Sequence, residues 1–531
     1  MDPRIAYFSM EYGLDEELRI YAGGLGILAG DCLKGAADLN MPLVALGILW
    51  RQGYTTQLIS EQGLPYDTYP EYHYDFLEDT KVTVEVAVGA KVVKVKAWCV
   101  RRYGNAPLYL LDTNLPENDY AERFITAQLY GGGAIDRVSQ EIVLGIGGVR
   151  VLRALGYKPQ VYHFNEGHAV LAATELFREQ MAADKDFWDA WAAVREEIVF
   201  TTHTPVPEGN ESHPLDLLMD MGANNGLTRE QLSAIGGAPF NMTVAGLRLS
   251  RIANGVAELH GETARGMWKD VKDAAPIIHI TNGVHPGTWQ DQGIVVAETP
   301  DELWAAHSTA KRRLLSEIYS RTGTWLDPNA LLIGFARRAA PYKRSSLIFH
   351  DPERITPAIT AGKINLVFSG KAHPRDGGAK ETIKRLVEMS RQYKEHVVFL
   401  PDYDMKVGRL LTRGCDVWLN NPIRPLEASG TSGMKAAMNG VLNMSIPDGW
   451  WPEAALDGEN GWVFGGKPAV ADRDAADAEE LYDVLLGKVM PLYYNDRSRW
   501  LEMMRSSIRT TREAFSIHRM LREYQNQMYK V

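Results

Sequence analysis

Leu331-Leu-Ile-Gly-Phe-Ala336 is an unbroken apolar hexapeptide, and Arg337-Arg-Ala-Ala-Pro-Tyr-Lys-Arg-Ser345 follows it directly. A short apolar run without polar alternation reads as a strand buried on both faces, as in a parallel sheet covered by helices. Just before it, Gly323-Thr-Trp-Leu-Asp-Pro-Asn329 collects turn residues, so a new domain is expected to start at 323. Just after it, Arg337, Arg338, Lys343 and Arg344 place four cations within eight residues. Ligands of open α/β sheets gather outside the carboxyl ends of the strands. The basic segment therefore reads as an anion site, with Arg as a bidentate fork and Lys as a point charge for one or two phosphates. A solvated basic loop is the plainer alternative.

Outward from this stretch the same alternation continues. Strands are expected at Ile364–Ser369, Val397–Leu400, Val417–Leu419 and Val441–Ser445, with helices at Lys343–Phe349, Ala379–Arg391, Met405–Thr412 and Met434–Met438. In the first half, strands are expected at Pro42–Leu49, Gln160–Phe164, Ile198–Thr202 and Ile277–Thr281, and a helix at Ile27–Leu39. Lys81–Val88 and Lys91–Trp98, joined at Gly89-Ala90, read as an antiparallel hairpin inserted in this half. Leu501–Tyr529 carries a helical pattern through Ile508, Phe515, Met520, Leu521 and Tyr524. The expected fold class is α/β: two Rossmann-like doubly wound domains, residues 1–322 and 323–500, facing a cleft, with 501–531 as a C-terminal helix strapping them together.

Composition narrows the function. The chain has 531 residues with 57 Lys and Arg against 67 Asp and Glu, a net charge of −10, which argues against a nucleic-acid-binding protein. An apolar fraction of 45% and a charged fraction of 23% exclude disorder and collagen. The 3 cysteines (Cys32, Cys99, Cys415) lie far apart, so neither a disulfide framework nor a zinc site is expected. The opening MDPRIAYFSMEYGL meets charge within four residues, so no signal peptide is expected. No apolar run reaches the ~20 residues of a membrane span. The expected compartment is a reducing cytosol.

Three other regions put polar or glycine clusters at strand ends. Glu427-Ala-Ser-Gly-Thr-Ser-Gly-Met-Lys435 leads into a helix and offers backbone N–H groups to an anion, and Lys435 is placed to pair with that anion or to form an imine with an aldehyde cofactor. A glycine-rich helix cap explains the same residues, and no GxxxxGK[ST] motif occurs in the chain. Gly23-Gly-Leu-Gly26 precedes the helix at Ile27 and fits close helix packing equally well. The remaining region comprises His163-Phe-Asn-Glu-Gly-His168, Thr202-His-Thr-Pro205 and Thr281-Asn-Gly-Val-His285. His163, Glu166 and His168 lack the spacing of a metal site, so hydrogen-bonded histidines or sugar-hydroxyl contacts are expected and no metal. Trp450 and Trp451 fit a sugar platform or a core. Together these features suit phosphoryl or glycosyl chemistry on a polyhydroxylated substrate.

EASGTSGMKAAMNG (residues 427–440) resembles the pyridoxal-phosphate signature EASGTxxMKxxxNG of the α-glucan (glycogen and maltodextrin) phosphorylases. YFSMEYG, GGLG, THTPVPE, ITNGV and RRxxxYKR resemble further segments of that family in the same order, and the form YAGGLGILAGD is similar to its short bacterial branch. The resemblance implies the two-Rossmann glycosyltransferase (GT-B) fold and reversible phosphorolysis. In that reaction a terminal α-1,4-glucosyl unit of glycogen, starch or maltodextrin plus inorganic phosphate gives α-D-glucose 1-phosphate with retention.

It also implies the site. Lys435 would form the imine with pyridoxal 5′-phosphate. Arg337, Gly430, Thr431 and Ser432 would hold the cofactor phosphate, near Tyr403. Arg338, Lys343 and the backbone at Gly24, with Leu25, would bind the substrate phosphate. Asn282, Tyr342, Glu427, Ser429 and the Gly430 amide would bind glucose hydroxyls. His203 would sit over the sugar, oriented by Glu166. The cofactor phosphate would relay a proton to the substrate phosphate. The implied partners are small molecules and glucan, with neither nucleic acid nor membrane, and a homo-oligomer is compatible. Three departures stand out: only LDEELRIYA separates FSMEYG from GGLG, Asp404 follows Tyr403 where the family often has arginine, and Ser432-Gly433 replaces the commoner Gly-Asn. Two alternatives share the fold: a nucleotide-sugar-dependent retaining glucosyltransferase, which needs no imine lysine, and a phosphorylase for another glucoside. A glucan-binding protein without catalysis is a third.

Overall fold

The computed structural model describes residues 4–206, 209–467 and 471–530. The chain divides into two compact units, one of residues 1–54, 69–281 and 517–531, the other of residues 55–68 and 282–516.

The first unit is built on β1 (Ile5–Phe8), β2 (Leu43–Ile48), β5 (Glu78–Val88), β6 (Lys91–Val100), β7 (Leu108–Asp112), β8 (Val161–Asn165), β9 (Ile198–Thr201), β12 (Ile252–Gly255) and β13 (Ile277–His279); β3 (Thr56–Ile59) and β4 (Pro65–Thr68) belong to the second unit, and β10 (Ser212–His213) pairs with β11 (Phe240–Asn241) outside the main sheet. The sheet order is β13-β12-β9-β8-β1-β2-β7-β6-β5, and every pairing from β13 to β7 is parallel. β6 and β5 are antiparallel and turn at Gly89-Ala90. β1 lies at the centre, where the strand order reverses. Its four residues are all buried, and its brevity explains why the opening motif hides it from sequence reading.

The second unit holds β14 (Leu331–Ala336), β15 (Ile364–Ser369), β16 (Val397–Leu400), β17 (Val417–Asn420), β18 (Leu442–Ser445) and β19 (Gly461–Val463), all parallel, in the order β16-β15-β14-β17-β18-β19. Counted within the unit this is 3-2-1-4-5-6, the dinucleotide-binding order, with its switch point between β14 and β17. All six β14 residues are buried. Leu331, Ile333 and Phe335 pack into one apolar cluster, and Leu332 and Ala336 into another. Both faces are covered, which is what the unalternating sequence demands.

Three expectations need correction. The compact units part at 281/282 rather than 322/323, because the helix Pro300–Thr322 buries Leu314, Leu315 and Ile318 against Leu332 of β14 and Val367 of β15. Lys343–Phe349 is no helix: two 3-10 turns, Pro341–Lys343 and Leu347–Phe349, flank Arg344, whose φ of 51° breaks the helical path. The C-terminal pattern is two helices, Arg497–Thr511 in the second unit and Ile517–Gln527 in the first, the latter burying Ile517, Met520, Leu521 and Tyr524 in that unit's core. Among the described residues no helix is long and apolar enough to cross a membrane.

Candidate active site

In the second unit the switch point gathers charge. Arg337 leaves β14 buried, and its Nη2 pairs with the Glu427 carboxylate at 2.7 Å. The Lys343 ammonium, carried by the turn Pro341–Lys343, pairs with the same carboxylate oxygen and lies 4.7 Å over the Tyr342 ring. Burial alone would raise the Glu427 carboxyl, but these two cations hold it below the ordinary range. Glu427 is fixed from behind as well: its backbone N–H donates to Asp448 Oδ2 at 2.9 Å, while Gly449 N–H donates to Oδ1 at 2.8 Å. Burial, reinforced by the Glu427 charge, pushes Asp448 up to about 7.

Arg338 and Arg344 part company with Arg337 and Lys343. Arg338 is exposed and makes no ion pair or hydrogen bond among the described residues. Arg344 is structural: its guanidinium bonds the Asn421 and Pro422 carbonyls and the carboxylates of Asp474 and Asp477, each at 2.8–2.9 Å. It is therefore removed from the anion-site cations.

The helix Thr431–Ala437 starts from Gly430, in the left-handed region at φ 83°, and no side chain caps it. A Cβ on Gly430 would stand 3.5 Å from Arg337 Nη2, so the guanidinium flanks the positive end of this helix. Arg337 Nη1 is buried with no hydrogen-bond partner among the described residues, as is Ser429 Oγ. Lys435 is buried one turn beyond Thr431, with its ammonium 3.7 Å from the Trp289 ring centroid. Tyr403 is half-buried, and burial with the neighbouring Asp404 pushes its phenol up to about 12 against the opposing charge of Arg337. Asn282 is buried and Tyr342 half-buried.

An unpaired buried guanidinium nitrogen beside an uncapped helix start, with a buried lysine on the same helix, is a donor set that fits an aldehyde bearing a phosphate. The residues present thus fit pyridoxal phosphate. Two of the three departures flagged in the sequence, Asp404 and Ser432-Gly433, have local causes. Asp404 accepts from Val407 N–H at 2.9 Å and caps the helix Met405–Gly414. Gly433 packs so closely that a Cβ there would lie 2.8 Å from both Trp450 Nε1 and Asn443 Oδ1. Ser432 Oγ accepts from Trp418 Nε1 at 3.2 Å. Trp450 and Trp451 are buried, their rings 5.2 Å apart, and serve as core rather than sugar platform.

The first unit presents its own polar group at its switch point, where β1 runs out into Ser9-Met-Glu11 and β8 into Glu166. Glu166 adopts φ 75°, and its carboxylate accepts from the His203 N–H at 2.8 Å, the Thr204 hydroxyl at 3.1 Å and the Gly167 N–H at 3.2 Å. The His203 ring bonds Asn165 Oδ1 through Nε2 at 2.6 Å. Burial, with the histidines at 260, 163 and 168, brings His203 down to about 3, so the ring is neutral. Gly24 is exposed and Leu25 half-buried at the head of the helix Gly24–Asp38. Glu11 holds that loop, accepting from Ala22 N–H at 2.6 Å, Gly23 N–H at 3.0 Å and the Tyr130 hydroxyl at 2.8 Å. A Cβ on Gly26 would lie 2.6 Å from Glu11 Oε2, which is the packing reason for that glycine, whereas nothing stands within 4 Å of one on Gly24.

Sequence reading missed Glu11, Tyr130, Asp448 and Trp289 and gave Asn165 no role of its own; Glu11 lies in the quoted YFSMEYG and Asn165 in the quoted stretch from His163 to His168. His163 is held on both sides, by Tyr529 and Thr201 at 2.7 Å each, as expected of a hydrogen-bonded core histidine. Pro207 and Glu208 of THTPVPE and residues 1–3 of the opening segment lie outside the described residues.

Residues 296–484 match the carbohydrate phosphorylase family. The chain is 40% identical to the maltodextrin phosphorylase of Thermococcus litoralis, over 99% of this chain and 70% of that protein. It is 40% identical to the glycogen phosphorylase of Mycobacterium tuberculosis, with the same coverage, and 35% identical to that of Aquifex aeolicus over 99% of this chain and 86% of the relative. Identity at this level over 99% of the chain and more than two thirds of each relative is decisive: the chain belongs to the carbohydrate phosphorylase family.

Proposed function

We propose that this chain catalyses the reversible phosphorolysis of terminal α-1,4-glucosyl units of a glucan (glycogen, starch or maltodextrin) by inorganic phosphate, giving α-D-glucose 1-phosphate with retention in the cytoplasm. The finer architecture belongs to the same proposal: the GT-B pairing of two Rossmann-like units. The observation that carries it is Lys435, buried on the helix that starts beside Arg337, in a chain of this family.

Pyridoxal phosphate, when bound at Lys435, supplies a phosphate group that exchanges a proton with the substrate phosphate. Arg337, with the amides at Gly430, Thr431 and Ser432, holds the cofactor phosphate, and Tyr403 lies near it. Arg338, Lys343 and the Gly24 amide, with Leu25, bind the substrate phosphate. Like-charged phosphates held near each other raise one another's affinity for a proton, and these cations limit the repulsion without cancelling it. Asn282, Tyr342, Glu427, Ser429 and Gly430 take glucose hydroxyls. Glu166, by accepting the His203 N–H, turns the His203 carbonyl toward the sugar, where positive charge develops. That charge is stabilised chiefly by the substrate phosphate itself. The nucleotide-sugar alternative is not favoured, because the relatives named above are phosphorylases.

The test is an incubation of purified protein with maltoheptaose and inorganic phosphate. Phosphate-dependent release of α-glucose 1-phosphate is expected. Chain extension from a nucleotide sugar, with none from glucose 1-phosphate, would overturn the proposal.

A further inference from the structure

A chain of hydrogen bonds in the first unit fixes which nitrogen of His203 carries the proton. Ser9 Oγ donates its single proton to the Glu11 carbonyl at 3.0 Å, an oxygen that only accepts. Toward Asn165, 3.2 Å away, Ser9 is then an acceptor, so the Asn165 side chain turns its NH₂ to Ser9 and its oxygen to His203. An amide oxygen 2.6 Å from His203 Nε2 requires the hydrogen on Nε2. Nδ1 is left as the ring's acceptor. The same residue 11 holds the GGLG loop through its carboxylate, so ring and loop share one anchor. Asn165 is fully buried at the end of β8, in register with Thr201 of β9, two residues before His203.

We propose that Asn165 is a positioning residue for glucosyl transfer, fixing His203, with Ser9, as the neutral Nε2–H tautomer. This rests on the phosphorolysis reading above. The role asks for an amide at this place: it orients the ring without offering the counter-charge that a carboxylate would give an imidazolium. A cationic ring over a sugar that itself becomes positive would oppose the reaction. The surroundings agree. Glu166 spends its carboxylate on the His203 and Gly167 backbone and on Thr204, and the other titratable groups facing the ring are His163, His168 and His260. No carboxylate hydrogen-bonds the His203 ring among the described residues.

The experiment combines nitrogen-15 NMR of histidine-labelled protein, with His203→Gln for assignment, and kinetics of Asn165→Ala and Asn165→Asp. In the wild-type protein His203 is expected as the Nε2–H tautomer and neutral from pH 6 to 8. An Nδ1–H tautomer or a charged ring overturns the proposal whatever the enzyme's activity, so this arm stands apart from the test of phosphorolysis. Asn165→Ala is expected to lower kcat by about 10²-fold through misorientation, with KM for phosphate within about twofold. Asn165→Asp is expected to raise the His203 pKa and to add an acidic limb to the kcat profile, with activity lost as pH falls through that pKa. Phosphorolysis that proceeds with unchanged kcat and pH profile in folded Asn165→Ala and Asn165→Asp refutes the role while leaving the function intact.

Discussion

The Lys435 ammonium stands 3.7 Å from the centre of the Trp289 indole, and the Asn439 amide ties the two residues together by donating to both their carbonyls, at 2.8 and 3.0 Å. A desolvated cation over an indole is worth about 2 kcal/mol. Trp289→Leu is therefore expected to loosen the lysine and to lower the cofactor bound per chain after dialysis, with a fall in melting temperature. Full cofactor occupancy in this variant would show that the indole does not position Lys435.

Arg338 and Arg344, six residues apart in one basic segment, are expected to fail in opposite ways. Arg338→Ala removes an exposed side chain, so stability should stay within ~0.5 kcal/mol while KM for phosphate rises far more than KM for glucan. Arg344→Ala strands Asp477 and two buried carbonyls and should cost about 3–5 kcal/mol in urea unfolding. Equal effects on stability would contradict this division.

Asp448 gives a pH-dependent signature. An unfolded aspartate titrates near ~3.9, whereas in the fold Asp448 is pushed up to about 7. Between these values the unfolded chain has lost the proton that the folded chain keeps. Stability carried by protonated Asp448 is thus full below ~4 and is lost as pH rises to about 7. Asp448→Asn has no such proton, so its stability relative to wild type should climb by up to ~1.4 kcal/mol per pH unit across that window and then level. Urea midpoints at several pH values measure it, and a pH-independent difference would contradict it.

The departures around the proposed cofactor site are expected to be matters of stability. Gly433→Asn would push a Cβ to 2.8 Å from Trp450 Nε1 and cost about 1–3 kcal/mol. Asp404→Ala loses a helix cap and should cost about 1 kcal/mol with cofactor binding intact. Thermal melts and cofactor stoichiometry on both variants check this.

What the sequence discloses follows from how local each signal is. β14, β15 and β16 match their expected bounds residue for residue, because strands buried on both faces are mostly apolar, with only Asn365 and Ser369 of β15 as polar exceptions. The cations after β14 were legible as a group, but their division was not. What separates Arg344 from Arg337 is Asp477, 133 positions away, against Glu427, 90 positions away. The same holds for Asn165, Asp448 and Trp289, ordinary residues whose partners come from other elements. The C-terminal break escaped notice because the segments on either side are both amphipathic, so the apolar period runs through it. The boundary at 281/282 was missed since Pro300–Thr322 carries no mark of which sheet it covers.

The most direct test of the central claim is peptide mass spectrometry after borohydride reduction of the purified protein incubated with pyridoxal phosphate. A pyridoxyl-phosphate adduct on the peptide containing Lys435, and its loss in folded Lys435→Ala together with activity, is the predicted result. An unmodified Lys435 in protein that still releases glucose 1-phosphate from glucan would contradict it.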